Sequence, residues 1–292
     1  MSMDCPACGC DTMRFSIACP ACGFTASEID GFEAWAPALV EAGGDTCFDP
    51  KNFQALAELE PRHFWFQTRN RLILWALRHY GGAPERFAEI GCGTGFVTQA
   101  VECAFPESEI LGTDLFVDGL RFAAGRRKRA KLIQMDARHI PYRNHFDAIG
   151  MFDVLEHIED DRAVLDQIWK ALTPGGLMLL TVPQHRWLWS PADDVARHVR
   201  RYTACELTGK VSAAGFSVLR STSFVALLLP VMIAARLLAG NKPVDAAAVL
   251  RINTLLNRLF NRVMSLEISM IRVGLNFPFG GSRLLVARKA DR

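Results

Sequence analysis

Short apolar runs recur along the chain: Phe87–Ile90, Glu109–Asp114, Leu132–Asp136, Phe146–Phe152, Leu177–Val182, Phe216–Phe224 and Ser282–Lys289. Most are too brief for a helix and nearly unbroken by polar residues, the pattern of strands buried on both faces of a sheet. Helical patterning alternates with them: Leu72–Leu77 precedes the first run and Phe96–Val101 follows it. Repeated strand–helix–strand order predicts a parallel sheet wound on both sides by helices, with the last run as an antiparallel seventh strand. A different pattern separates the sixth and seventh runs. Residues 225–273 hold two apolar stretches around Gly240-Asn241-Lys242-Pro243, the second with Arg251, Arg258, Arg262 and Arg272 among leucines. That predicts an inserted helical hairpin, apolar on one side and basic on the other.

Candidate chemistry lies where the runs end. The first passes through Glu89-Ile90 into Gly91-Cys92-Gly93-Thr94-Gly95, whose glycines let backbone approach a ligand closely. The spacing is G-x-G-x-G, not the G-x-G-x-x-G of dinucleotide folds. The second run ends in Asp114, where a nucleotide-binding α/β fold needs a carboxylate for ribose hydroxyls. The third ends in Asp136. The fourth leads into Asp153-Val154-Leu155-Glu156-His157. If that segment is helical, Asp153, Glu156 and His157 share one face at the carboxyl edge of the sheet, the crevice where such sheets bind ligands.

Glu89 with its glycine loop, Asp114, Asp136 and the turn Leu172-Thr173-Pro174-Gly175-Gly176 stand in an order that resembles class I S-adenosylmethionine (SAM) methyltransferases across residues 60–224. The resemblance implies an α/β fold: a seven-stranded, doubly wound, Rossmann-like methyltransferase sheet over residues 60–292. It also implies that SAM is held by Glu89, Gly91, Cys92, Gly93, Gly95, Asp114, Leu115, Asp136, Ala137, Phe152 and Asp153. In that family the acid at the position of Asp136 contacts the adenine amino group, and the next backbone amide helps fix the ring. Similar bacterial enzymes carry a His-Phe-Trp-Phe…Arg segment across the cofactor pocket, which makes His63, Trp65 and Arg69 candidates for a lid or substrate pocket; plain packing is the alternative. The Asp-x-x-Glu-His segment is also similar to quinone-pathway O-methyltransferases, some of which use a divalent cation.

After the fifth run, residues 183–203 concentrate imidazoles, guanidinium groups and indoles, which are costly to bury and odd in a connector. Their Leu-Trp-Ser…Asp…His-x-Arg-Arg-Tyr string is similar to bacterial methyltransferases of glycan and lipid pathways. Trp187, Arg200, Arg201 and Tyr202 are substrate candidates, the two arginines as a clamp for a carboxylate or phosphate. His157, His185 and His198 are candidate bases. An ion-pair network among Asp193, Asp194 and the arginines is the competing reading.

Composition adds the rest. Nine cysteines include Cys5-Pro6-Ala7-Cys8-Gly9 and Cys19-Pro20-Ala21-Cys22-Gly23, one knuckle written twice. Two such turns supply four thiolates to a closed tetrahedral site, so Cys5, Cys8, Cys19 and Cys22 are expected to bind a structural zinc, and the pattern resembles a zinc ribbon. The expected organisation is a ribbon at 1–30, a linker at 31–59 marked by Gly43-Gly44-Asp45 and Asp49-Pro50, and the main domain at 60–292. Net charge is only +2, and Arg14 is the one cation among residues 1–23, which argues against nucleic acid as partner. No apolar run is long enough to span a bilayer, and the N-terminus lacks signal-peptide features. The expectation is a cytoplasmic enzyme, with the basic hairpin peripheral to the inner membrane face, packed on the domain or in a homodimer. The expected function is SAM-dependent methyl transfer to an oxygen or nitrogen of a small, amphipathic or lipid-linked acceptor, whose site the stretch from His185 to Tyr202 should cover and the hairpin from Val225 to Val273 should wall. The alternatives are a ribosomal-RNA methyltransferase with a zinc ribbon and a non-catalytic SAM-fold adaptor.

Overall fold

Apolar strands of this kind need cover on both faces, and helices on each side of one sheet provide it. The computed structural model describes residues 3–12, 18–36, 38–39, 52–239 and 252–290. Its strands are β1 (Met3–Asp4), β2 (Asp11–Thr12), β3 (Ser27–Ile29), β4 (Phe32–Ala34), β5 (Arg86–Ile90), β6 (Glu109–Asp114), β7 (Lys131–Gln134), β8 (Phe146–Phe152), β9 (Leu172–Pro183), β10 (Phe216–Phe224) and β11 (Ser282–Lys289). Its helices are α1 (Asn52–Leu59), α2 (Phe64–Gly81), α3 (Phe96–Ala104), α4 (Val117–Arg126), α5 (Asp161–Ala171), α6 (Pro191–Val195), α7 (Ala204–Ala213), α8 (Leu229–Ala239) and α9 (Thr254–Arg272).

Among the described residues the main sheet has nine strands in the order β10-β11-β9-β8-β5-β6-β7-β4-β3. Strands β4 to β9 pair in parallel where they are neighbours, and β11 runs antiparallel between β9 and β10. One face is covered by α5 and α7, whose Val164, Leu165, Ile168, Leu207 and Val211 pack on Ile149, Met151 and Leu180. On the other face Leu72, Ile73 and Leu77 of α2 and Ile268 and Ile271 of α9 pack on Phe87, Leu179 and Val286.

The expected seven-stranded sheet is corrected to nine. The additional hairpin β3–β4 adds to the edge of β7, with the Trp35 N–H donating to the Gln134 carbonyl at 2.9 Å and the Gln134 amide bracketing Ala36. Its strands are three residues each and half polar, too short to register as apolar runs. The segment after β8 is also not an α-helix: it is one 3₁₀ turn, Leu155–His157, following Asp153 at φ +57°. Gly43–Asp45, Asp49-Pro50, Gly240–Pro243, Arg251 and Arg14 lie outside the described residues.

The inserted helices are tied to the domain by polar contacts as well as packing. Asn257 accepts from the Phe64 amide at 2.8 Å and donates to the Arg62 carbonyl at 2.7 Å. Buried Glu267 accepts from the amides of Ala226 and Leu227 at 2.8 and 2.7 Å, which fixes the chain as it enters α8. The sheet order reverses between β5 and β8, and the principal cavity opens there, beyond the carboxyl ends of the strands.

Candidate active site

The cavity holds about 1500 Å³ and joins two chemically distinct ends. One end is built by the glycine loop between β5 and α3. Gly91 has φ +73°, and a Cβ there would fall 2.4 Å from Val154; Gly95 has φ +75°, and a Cβ would fall 2.8 Å from that of Ala123. Only glycine fits both the left-handed backbone and the close packing. Asp114, at the end of β6, accepts from the Gly93 amide at 2.7 Å and the Phe116 amide at 2.9 Å, so it latches the loop it faces. Helix α1 closes over this loop: Phe53 lies against Gly93 and Gly119, and Glu60 accepts from Thr94 and Arg126, each at 2.5 Å.

Glu89 is buried beneath the loop and accepts a hydrogen bond from Thr98. Burial pushes its carboxyl up to about 8 against the Thr98 bond, and burial likewise raises Asp114 to about 6 despite three backbone amides. Asp136 behaves oppositely. Burial works to raise it, but Arg138, with a guanidinium nitrogen at 2.8 Å, holds it below the usual carboxylate range. A cationic ligand carrying ribose hydroxyls and a ring amino group fits this set of carboxylates and open backbone.

The other end gathers residues from four distant segments. Asp153 is spent on the Arg69 guanidinium at 2.6 Å and the Thr181 hydroxyl at 2.9 Å, and Arg69 stacks over Trp65 with 4.7 Å to the ring centroid. His63 caps α2 by accepting from the Trp65 amide at 3.2 Å; burial lowers it to about 4, so it is neutral, and its buried Nε2 has no protein partner. Glu156 is fully buried with neither carboxylate oxygen in a hydrogen bond, and burial together with the Asp153 charge raises its pKa far above the carboxylate range. Beside it the rings of His157 and His198 meet edge to face at 4.8 Å. His198 is oriented by Asp193, whose Oδ1 lies 2.8 Å from its Nδ1 and 2.7 Å from Arg201 Nε. Burial opposes ionisation of Asp193, but His198 and Arg201 bring it down to about 2. Ligand atoms of Glu156, His157 and His198 all lie within 4.8 Å of one another, a spacing that also suits a divalent cation.

Of the residues nominated from sequence, Glu89, Gly91, Cys92, Gly93, Asp114, Leu115, Asp136, Ala137, Phe152, Asp153, His63, Trp65, Arg69, His157, His198 and Arg201 line the cavity. Gly95 does not; it packs α3 on α4. His185, Trp187, Arg200 and Tyr202 also lie outside the lining. His185 is stacked between Trp187 and Phe279, with centroids 5.3 and 5.5 Å away, and Trp187 is 58% exposed. Arg200 and the Tyr202 hydroxyl both bond Asp161, at 2.7 and 2.8 Å, so they fasten the 183–203 segment to α5. Sequence reasoning did not single out Phe53, Glu156 as an unpartnered acid, or Met232, Arg236 and Phe260, although these last three lie in the hairpin expected to wall the acceptor site. Glu156 stood inside a quoted motif; the α8 and α9 residues had no local signal.

Near the N-terminus, Cys5 and Cys22 have sulfurs 3.6 Å apart, and Cys8 and Cys19 3.7 Å. Four sulfurs around one ion at about 2.3 Å would be about 3.8 Å apart, so the cluster fits tetrahedral zinc, and the sulfurs stand too far apart for disulfide bonds. The cluster docks on the main domain: Asp4 N–H donates to the Pro141 carbonyl at 2.7 Å, and Arg143 pairs with Asp4.

Comparison with known proteins agrees with the geometry. Residues 88–178 match a family model described as a methyltransferase domain. A "probable S-adenosylmethionine-dependent methyltransferase" of Mycolicibacterium smegmatis is 28% identical over 177 residues, covering 55% of this chain and 62% of that protein. A ubiquinone biosynthesis O-methyltransferase of Psychrobacter arcticus is 28% identical over 143 residues, covering 44% and 55% respectively. The fold is shared with a phosphoethanolamine N-methyltransferase of Haemonchus contortus solved with S-adenosyl-L-methionine, at a TM-score of 0.57 and 16% identity, over 87% of this chain and 60% of that one. The chain spans 62% and 55% of the length of the first two relatives. Over residues 88–178 the chain is thus similar to a methyltransferase domain, and its α/β fold is that of the solved structure. No helix among the described residues is long and apolar enough to cross a membrane.

Proposed function

We propose that the protein transfers a methyl group from SAM to a hydroxyl or amine of an amphipathic acceptor. The observation that carries this reading is the division of one cavity into a carboxylate-and-glycine end and an end where His198, fixed by ionised Asp193, faces unpartnered Glu156 beside apolar α8 and α9. The residues fit SAM. Asp114 would take the ribose hydroxyls, Asp136 and the Ala137 amide the adenine, and Glu89 with the glycine loop the amino-acid end. When bound, the cofactor supplies an already activated methyl group on a sulfonium.

The chain's own work is then positioning and proton handling. Asp193 holds Nδ1 of His198, leaving Nε2 turned toward Glu156, 3.9 Å away. From there it can take the proton of an acceptor hydroxyl as the oxygen attacks, and the ion pair with Asp193 stabilises the imidazolium that forms. Neutral His63 offers an N–H to the acceptor, and α2 with α8 and α9 excludes water. The apolar wall supports a lipid-linked or amphipathic small molecule over a nucleic acid, and the leucines exposed on α8 and α9, Leu238 at 88% and Leu255 at 72%, support contact with a membrane surface. Incubation of the protein with methyl-labelled SAM and a bacterial lipid and metabolite extract should transfer label to an organic-soluble product. Label appearing only in RNA would overturn the reading.

The cysteine cluster is read as a structural zinc site of an N-terminal ribbon that ends before β3, because Ser27–Ile29 already belongs to the main sheet. Cys19→Ser should release about one zinc per chain and loosen the docking at Pro141 while SAM affinity is kept. Metal analysis showing no zinc in the unaltered protein, or cysteines that are oxidised in pairs, would end that assignment.

A further inference from the structure

The two arginines that the sequence offers for an anionic acceptor are occupied. Arg200 bonds Asp161 and the Glu159 carbonyl at 2.7 and 2.8 Å, and Arg201 bonds Asp193 and the Gln184 carbonyl at 2.7 and 3.1 Å. A third arginine is not. Arg236 stands on α8 in the cavity lining, and among the described residues its buried Nη1 has no hydrogen-bond partner. Asp193 is the acid near enough to act on it, yet both oxygens of Asp193 are already taken, one by His198 and Arg201, the other by Ser190. Arg201 lies on the same side and adds like charge, and burial with that charge brings Arg236 down to about 10. A guanidinium in this position stays protonated at neutral pH, and although the side chain is half-buried its Nη1 is removed from water with no counter-ion beside it, which is unfavourable unless a ligand supplies one. Around it the wall is apolar: Leu228, Val231, Met232 and Ala235 from the same chain segment, and Phe260 from α9.

We propose that Arg236 reads the anionic group of the acceptor, a phosphate or carboxylate carried on an apolar chain that lies along α8 and Phe260. The inference rests on the methyl-acceptor reading of this cavity and narrows it to anionic amphiphiles. The guanidinium meets the charge, the aliphatic wall covers the chain, and the nucleophile is left at the His198 end.

Octyl phosphate, held below its micellar concentration, is a suitable probe, with octanol, octyltrimethylammonium and inorganic phosphate as comparisons. Calorimetry on the full chain should show octyl phosphate binding at least about tenfold tighter than the other three. Arg236→Ala should remove that preference, Arg236→Lys should keep part of it, and Arg162→Ala on the exposed surface of α5 should leave it intact. SAM binding, measured alongside, should not change in any variant. Equal binding of octyl phosphate to the protein and to Arg236→Ala would overturn the proposal, as would inorganic phosphate binding as tightly as the alkyl ester. Absence of SAM binding with Arg236-dependent octyl phosphate binding intact would instead remove the methyltransferase reading and leave the anion site.

Discussion

Replacing His198 with alanine should lower turnover about 10²–10⁴-fold, the range for losing a positioned general base, with SAM affinity nearly unchanged. The expectation comes from an arrangement in which Asp193 caps α6 through Ser190, pairs with Arg201 and also orients His198. Asp193 is buried and ionised, and it spends one oxygen on Nδ1 of His198, 2.8 Å away, while the opposite ring nitrogen faces the unpartnered Glu156. Asp193→Asn should keep the shape and lose most of the rate, because the amide no longer stabilises the imidazolium; its pH–rate profile should move where a packing defect would not move it. The measurement uses the labelled product and reads kcat separately from KM. Full activity in His198→Ala would remove the base from the mechanism. Loss of activity on chelation, restored by a divalent cation, would instead make His198 a ligand together with Glu156 and His157.

The cofactor end was legible because it is local. Strand, acid and glycines are contiguous from Glu89 to Gly95, and Asp114 and Asp136 each end a recognisable apolar run. The one exception, Gly95, is buried against α4 instead, where the lack of a side chain lets α3 approach Ala123. The acceptor end was legible only in part, because the sequence does not say which arginine meets which acid. Arg200 and Arg201 read equally well as an acceptor clamp or as members of an ion-pair network, and Asp161 and Asp193 claim them, whereas nothing in the apolar run of α8 singles out Arg236. The strands β3 and β4 escaped for a related reason. Backbone pairing with β7 and the Gln134 amide holds them, rather than an apolar run of their own.

Asp114→Ala should weaken SAM binding by about 2 kcal/mol or more, and the loss should exceed that expected from the ribose contact alone. The carboxylate is also the acceptor for the amides of Gly93 and Phe116, so its removal leaves two backbone donors without a partner and frees the loop. Calorimetry on the same samples tests the electrostatics beneath the loop. Burial holds Glu89 at about 8, so at pH 7 the free protein carries a proton there that a cationic cofactor should expel. Proton release, read by repeating the titration in buffers of different ionisation enthalpy, should be clear at pH 7 and fade above pH 8. Affinity should rise with pH up to that point and then level. The sign for folding is opposite: a carboxyl whose pKa is raised from an unfolded value near 4.5 to about 8 favours the fold at low pH and progressively ceases to do so between those values. The unliganded protein should therefore lose stability from pH 5 to 8, and SAM should restore more of it at pH 8 than at pH 6. Binding that is unchanged in Asp114→Ala and releases no proton at any pH would mean that the loop is a turn and not a cofactor site.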